Sequence, residues 1–324
     1  MVKMDLNHSE LCVLSLAVTQ GIGPVTIHRL IDAAQQSGFP LRKLLDRTPD
    51  ELARDAGLTP GLAARIADIE SPVSKGKRIL QELTRNGVRI VFESNPEHPP
   101  AMREALGHSN PSVLFIKGCA NPSEKPAIGV VGSRAPSPEA AESARQFAQA
   151  QSRFGGIIVS GGARGIDSAA HRGALSTGGS TAIIPPTGIM NFKWRHISAH
   201  TLAKGSWCLL GQFPPHDPWR SRNALQRNRS IVAMSRAILG FEPRDHGGTW
   251  HSCITTLKMR KPLFVVGCRQ NPEHRRGLKR LVRLGAVALD RETMPTPAEF
   301  EQMIQKYEPP PLAEQLSLFP ELMG

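Results

Sequence analysis

The chain reads as an α/β protein, an extended Rossmann-like parallel sheet with a small N-terminal helical module of helix-hairpin-helix or SAM-like type. Three observations carry that reading. Two short apolar runs, IGVV at 128–131 and GIIVS at 156–160, each end in a glycine-bearing turn that opens a segment of helical spacing. Further apolar runs follow at 180–189, 206–213, 237–243 and 262–268, with helical patterns between several of them. Residues 1–85, by contrast, show helical spacing interrupted by glycine and proline. Strand–turn–helix units in tandem build open parallel sheets.

The helical module comes first. LCVLSLAV is apolar with helical gaps, Gly21-Ile22-Gly23-Pro24 breaks it, and VTIHRLIDAAQQ resumes. Helix–GIG–helix is the spelling of a helix-hairpin-helix, whose turn glycines bring backbone N–H groups close to a DNA phosphate. The same letters also suit a packing module whose glycines only make a tight turn. A weaker second copy follows at AGLTPGLAARIADI. Residues 86–124 then alternate a strand (GVRIVF), a proline-rich stretch and another strand (SVLFIKG), an edge of the main domain. The α/β alternation runs on to about 290. After it, a PPP triplet and the loss of periodicity mark 291–324 as a flexible tail. The expected division is therefore 1–85, 86–290 and 291–324.

Bulk properties narrow the function. Lys and Arg number 40 against 28 acids, a net charge of +12, which favours a polyanionic partner. Aromatic residues are only 5 %, which argues against an extended stacking platform. The five cysteines are odd in number and widely spaced, with no CxxC, so neither a zinc site nor a disulfide framework is expected and a reducing cytoplasm fits. No apolar run reaches the roughly 20 residues that span a bilayer, and the first residues lack the core of a signal peptide. No membrane, metal or cofactor is expected.

Three glycine turns carry the chemistry. In the first, Gly132 permits close backbone approach, Ser133 offers a hydroxyl and Arg134 a fork-shaped cation suited to phosphate. Pro138 and Glu139 then fit the start of a helix. The second holds Ser160, Gly161, Gly162, Arg164 and Gly165, with Asp167 expected to cap the next helix. His171 lies four residues after Asp167, on the same helix face. An Asp–His pair invites a catalytic reading, yet no Ser or Cys nucleophile motif accompanies it. A cap and a packed histidine explain the same letters. The third turn is Gly247-Gly248-Thr249. Near it, WRSRNALQRNRSIVAMSR contains Arg220, Arg222, Arg227, Arg229 and Arg236 and no acid. It reads as a buried helix whose amino end presents arginines, with Asn228 among them, to the same cleft.

GSR after one strand, SGGARGIDSAAH after the next and QRNRSIVAMS at 226–235 resemble, in this order, the DprA/Smf family of bacterial DNA-processing proteins over roughly residues 10–290. The resemblance implies an extended Rossmann-like domain that binds single-stranded DNA and hands it to the RecA recombinase in recombination or DNA uptake. It also implies a homodimer and no enzymatic step. Asn228 inside Arg227-Asn228-Arg229 matches the family motif. Departures accompany the match. GGTWHSCITT stands where the wider family reads SGS, PPTGIMNFKWRH lacks an aspartate and a tyrosine-proline pair, and GQFPP replaces a serine-glutamate. They leave room for a specialised paralogue in phage defence or paired with a neighbouring toxin. A rival reading is a nucleotide-binding enzyme like the nucleoside-monophosphate phosphoribohydrolases, echoed by GGT at 247–249 but lacking the glutamate that should follow. No C-terminal winged helix is expected. Near the end, Gln315-Leu316-Ser317-Leu318-Phe319 resembles the short motif by which bacterial proteins dock on the DNA polymerase sliding clamp. A pure interaction protein acting through this tail is a third reading.

Overall fold

The computed structural model describes residues 6–268 and 271–310. Six helices come first: α1 (His8–Ala17), α2 (Pro24–Gln36), α3 (Leu41–Leu45), α4 (Pro49–Asp55), α5 (Pro60–Ala67) and α6 (Pro72–Arg85). Their starts follow local chemistry. Asn7 and Glu10 form a capping box on α1, Thr48 and Glu51 another on α4, and proline opens α2, α4, α5 and α6.

The remainder is β1 (Arg89–Phe92), α7 (Pro100–Leu106), β2 (Val113–Gly118), β3 (Ala127–Gly132), α8 (Pro138–Arg153), β4 (Ile157–Ser160), α9 (Ile166–Leu175) and β5 (Ser180–Ile183). After these come α10 (Ala199–Leu202), β6 (Ser206–Gly211), α11 (Ser221–Met234), β7 (Ala237–Phe241), α12 (Gly247–Lys258), β8 (Leu263–Val266), α13 (Pro272–Arg283), β9 (Val287–Ala288) and α14 (Pro297–Gln305). The strands form one sheet in the order β1-β2-β6-β5-β4-β3-β7-β8-β9. From β6 to β9 every pairing is parallel. The sheet is not parallel throughout: β2 runs antiparallel to both β1 and β6.

The inner strands β4, β5, β7 and β8 are buried at every position, and successive side chains enter opposite faces of the sheet. Ile157, Val159, Leu263 and Val265 join one core, covered by residues of α7, α11, α12 and α13. Ile158, Phe264 and Val266 face the other side, against α8, α9 and α14. The N-terminal helices cover the antiparallel flank, where Leu14, Leu30 and Leu83 share a core with Ile90, Phe115, Ile183 and Leu209. The pairing of Ile158 with Thr181 and Ser160 with Ile183 puts this cluster on the same face as α8 and α9.

The segment after 290 corrects the expectation of a linker. Thr296 and Glu299 form a capping box on α14, and Phe300 is fully buried between Phe147 and Phe264, with ring centroids 4.9 and 4.6 Å away. Proline richness hid a short docked helix. Gln315–Phe319 lies outside the described residues. Among the described residues no helix is long and apolar enough to cross a membrane. Phe300→Ala is expected to lower unfolding free energy by about 3–5 kcal/mol in a urea titration. A loss below 1 kcal/mol would mean that α14 is not part of the cooperative fold.

Candidate nucleic-acid interface

β3 and β7 are neighbours, yet the chain leaves them in opposite directions, β3 toward β4 and β7 toward β8. Connections that diverge from adjacent parallel strands open a crevice beyond their carboxyl ends. A cleft of about 480 Å³ lies there. Gly132, Ser133 and Arg134 line it from the end of β3, Asp167 from α9, Arg227 and Asn228 from α11, and Gly247, Gly248 and Thr249 from the start of α12. The first and third glycine turns thus share one cleft with Arg227 and Asn228, whereas Arg220, Arg222, Arg229 and Arg236 do not line it. Exposed Trp219 and Leu225 stand at its rim.

The rest of the predicted set lies elsewhere. Gly162 packs toward Phe192, and Arg164 is exposed outside the cleft. Gly165 (φ +82°) supports the first turn: a Cβ there would meet the Ser133 carbonyl oxygen at 2.4 Å, and the Ile166 N–H donates to that oxygen at 3.1 Å. Arg229 lines a separate hollow with Pro24, Leu106 and Gln226, and Arg222 another with the Gly21–Gly23 turn. That turn thus faces α11 of the same chain.

Asp167 is not the cap of α9; Gly165 holds that position. Its carboxylate is buried and faces the buried Arg227 guanidinium, Oδ2 to Nη1 3.9 Å, while the Ala163 N–H donates to Oδ2 at 3.3 Å. Burial pushes the Asp167 carboxyl up against the opposing pull of Arg227. Burial also pushes the Arg227 guanidinium down, but from so high an ordinary value that it stays charged. Gly161 makes this pair possible. A Cβ at 161 would lie 1.6 Å from Arg227 Nη1 and 2.5 Å from Asp167 Oδ2. Arg227 Nε is buried without a hydrogen-bond partner among the described residues.

The start of α12 adds more donors. His246 gives it no side-chain cap, so its first N–H groups and the positive end of its dipole point outward. The Asn228 amide and Ser252 hydroxyl both donate to the Gly248 carbonyl, at 3.2 and 3.1 Å, and fix the turn. One residue escaped the sequence reading. Glu242, buried and in the left-handed region (φ 49°), lines the cleft just after β7. It accepts from the Ser137 N–H (3.0 Å) and hydroxyl (2.7 Å), tying the end of β7 to the cap of α8. Its only sequence signal was a carboxylate ending an otherwise apolar strand.

His171 is a packed histidine. It is fully buried, its Nε2–H donates to the Gly161 carbonyl at 2.6 Å, and Nδ1 lies 2.7 Å from the Thr181 hydroxyl. The Gly161 contact assigns the tautomer. Burial holds its pKa down at about 4.

A sequence model of the family described as DNA recombination-mediator protein A matches residues 89–296. The chain is 25 % identical over 287 residues to protein Smf of Synechocystis, covering 86 % of this chain and 70 % of that protein. It is 25 % identical over 235 residues to the DNA processing protein DprA of Bacillus subtilis, 70 % of this chain and 76 % of that one. The crystal structure of DprA from Streptococcus pneumoniae superposes with a TM-score of 0.73 at 21 % identity, covering 94 % of this chain and 99 % of that one. DprA from Helicobacter pylori, described for its single-stranded DNA binding mode, superposes with a TM-score of 0.56 at 22 % identity, over 68 % and 98 % of the two chains.

Two outcomes are expected. Arg227→Met should destabilise by about 3 kcal/mol at neutral pH, because Asp167 is left buried and unpaired, and Arg227→Met/Asp167→Leu should recover part of that loss. Equal losses in single and double variants would show that the pair is not coupled. The His171 ring is neutral when folded, so the unfolded chain alone takes up its proton between pH 6.5 and about 4. Its contribution is full above pH 6.5 and is lost as pH falls toward 4, about 3 kcal/mol in all. His171→Gln should flatten that limb of a stability–pH profile; an unchanged limb would refute the assignment.

Proposed function

This chain belongs to the DNA recombination-mediator protein A family, and from that membership we propose that it holds single-stranded DNA by its phosphates in the cleft between β3 and β7. The observation that carries the proposal is the convergence on one cleft of the Arg227 guanidinium and the uncapped start of α12. A guanidinium and a helix amino end both suit a phosphate. Arg134 supplies an exposed cation at the cleft. The net charge of +12 supplies the long-range attraction.

A single strand can bend its backbone into so small a cleft, whereas a duplex is stiff on this scale. Trp219, at the rim and 54 % exposed, offers a face on which any base can stack. No chemical step is required. Asp167 is committed to Arg227, and His171 to a backbone carbonyl. The strand so held would be passed to RecA, a role consistent with the family description.

Fluorescence anisotropy on single- and double-stranded oligonucleotides across a salt series tests the reading. Binding should favour single strands, and Arg134→Ala should weaken it and reduce the log–log salt slope by about 0.7, the share of one phosphate. Arg229→Ala, outside the cleft, should leave both nearly unchanged. Equal binding of both DNA forms, or indifference to Arg134→Ala, would overturn it.

A further inference from the structure

Beyond the cleft, behind Glu242, lies a cluster with a different chemistry. A Glu242 carboxylate oxygen, Cys268 Sγ and a His274 ring nitrogen lie within 4.8 Å of one another. Glu242 follows β7, Cys268 follows β8, and His274 sits in the first turn of α13. The sheet thus brings together three residues that the sequence separates, and their spacing matches no zinc signature.

His274 is the unusual member. It is 5 % exposed, yet neither ring nitrogen has a hydrogen-bond partner among the described residues. A neutral imidazole always carries one N–H and one lone pair, and burying both unmet is unfavourable. The ring's lone pair is therefore open to a Lewis acid. Nδ1 stands 4.0 Å from Glu242 Oε2. That is too far for a hydrogen bond and close to what two ligands of one ion require.

We propose that Glu242, Cys268 and His274 form a binding site for a soft divalent transition-metal ion, Zn²⁺ being the best match. A thiolate with an imidazole selects zinc over magnesium or calcium. Tetrahedral coordination at about 2.0–2.3 Å from the metal sets ligand separations near 3.5 Å, so atoms now within 4.8 Å of one another need to close by at most a little over an ångström. Glu242 already accepts two hydrogen bonds from Ser137, which orient the carboxylate as outer-shell partners do in metal sites. Cys268 loses its thiol proton on binding, and with Glu242 the two negative charges balance the ion. The fourth position is left to water. The inference stands whether or not DNA occupies the cleft.

The full-length protein, stripped with chelator and titrated with cobalt chloride, tests this. The wild type should show a thiolate-to-cobalt charge-transfer band and tetrahedral ligand-field bands, both displaced by zinc chloride. Cys268→Ser and His274→Gln should abolish the bands and weaken Zn²⁺ affinity on the order of ten-fold or more. Cys119→Ser, at an exposed thiol away from the cluster, should retain them. Circular dichroism checks folding. Cys268 is partly exposed, so its serine variant decides the matter if His274→Gln does not fold. Absence of the bands in the wild type, their survival in Cys268→Ser, or their loss in Cys119→Ser would overturn the proposal.

Discussion

Two adjacent parallel strands whose connections depart in opposite directions govern the rest of this molecule. Because β3 and β7 are paired and diverge, the chain segments beyond them cannot cover the space at their carboxyl ends. Backbone donors at that edge have no neighbouring strand to satisfy them. Gly132–Arg134 and the start of α12 fill it with turns instead, and Glu242 bridges to the cap of α8 so that the two sides keep their separation. The cleft is a product of strand order before it is a product of side chains.

Its interior is then set by one buried pair. Arg227 reaches the wall only because residue 161 has no side chain and because Asp167 is there to meet it. Desolvation makes both groups costly where they stand. The arrangement orients a guanidinium that could otherwise take many rotamers. The second glycine loop, which carries a phosphate-binding spelling, spends its residues on holding that arginine and the Ser133 carbonyl. It shapes the cleft from behind.

Much of this was legible in the sequence. Strand runs at 128–131, 156–160, 206–213, 237–243 and 262–268 all contain strands, because buried parallel strands need uninterrupted apolar residues. Convergence of the first and third turns also followed from glycine placed after a strand. What failed was side-chain direction. Arg227 and Arg229 are two apart on a helix, about 200° around its axis, and cannot face one cleft. Asp167 had the letters of a cap, but the turn before it supplied Gly165 with a positive φ two residues earlier. Glu242 and Phe300 depend on partners more than a hundred residues distant, Ser137 and Phe147, which no local window contains. Cys268 and His274 lie closer to Glu242 in the chain, yet each comes from a different element, so their convergence is also invisible to a local window.

The central pairing also has a consequence for how the chain comes to exist. Gly132 is registered against Phe241, so β3 has a neighbour on only one side until β7 has been made. During synthesis, β3 to β6 can assemble first, each strand joining the one before it. Throughout that interval β3 is an open, apolar margin, the kind of surface that pairs with the wrong chain. Arrival of β7 closes the margin and creates the cleft in the same event. A ribosome product that stops short of β7 would hold a folded half-sheet with a sticky border and no cleft at all, and the nascent protein would lean on chaperones for as long as translation takes to cross that gap.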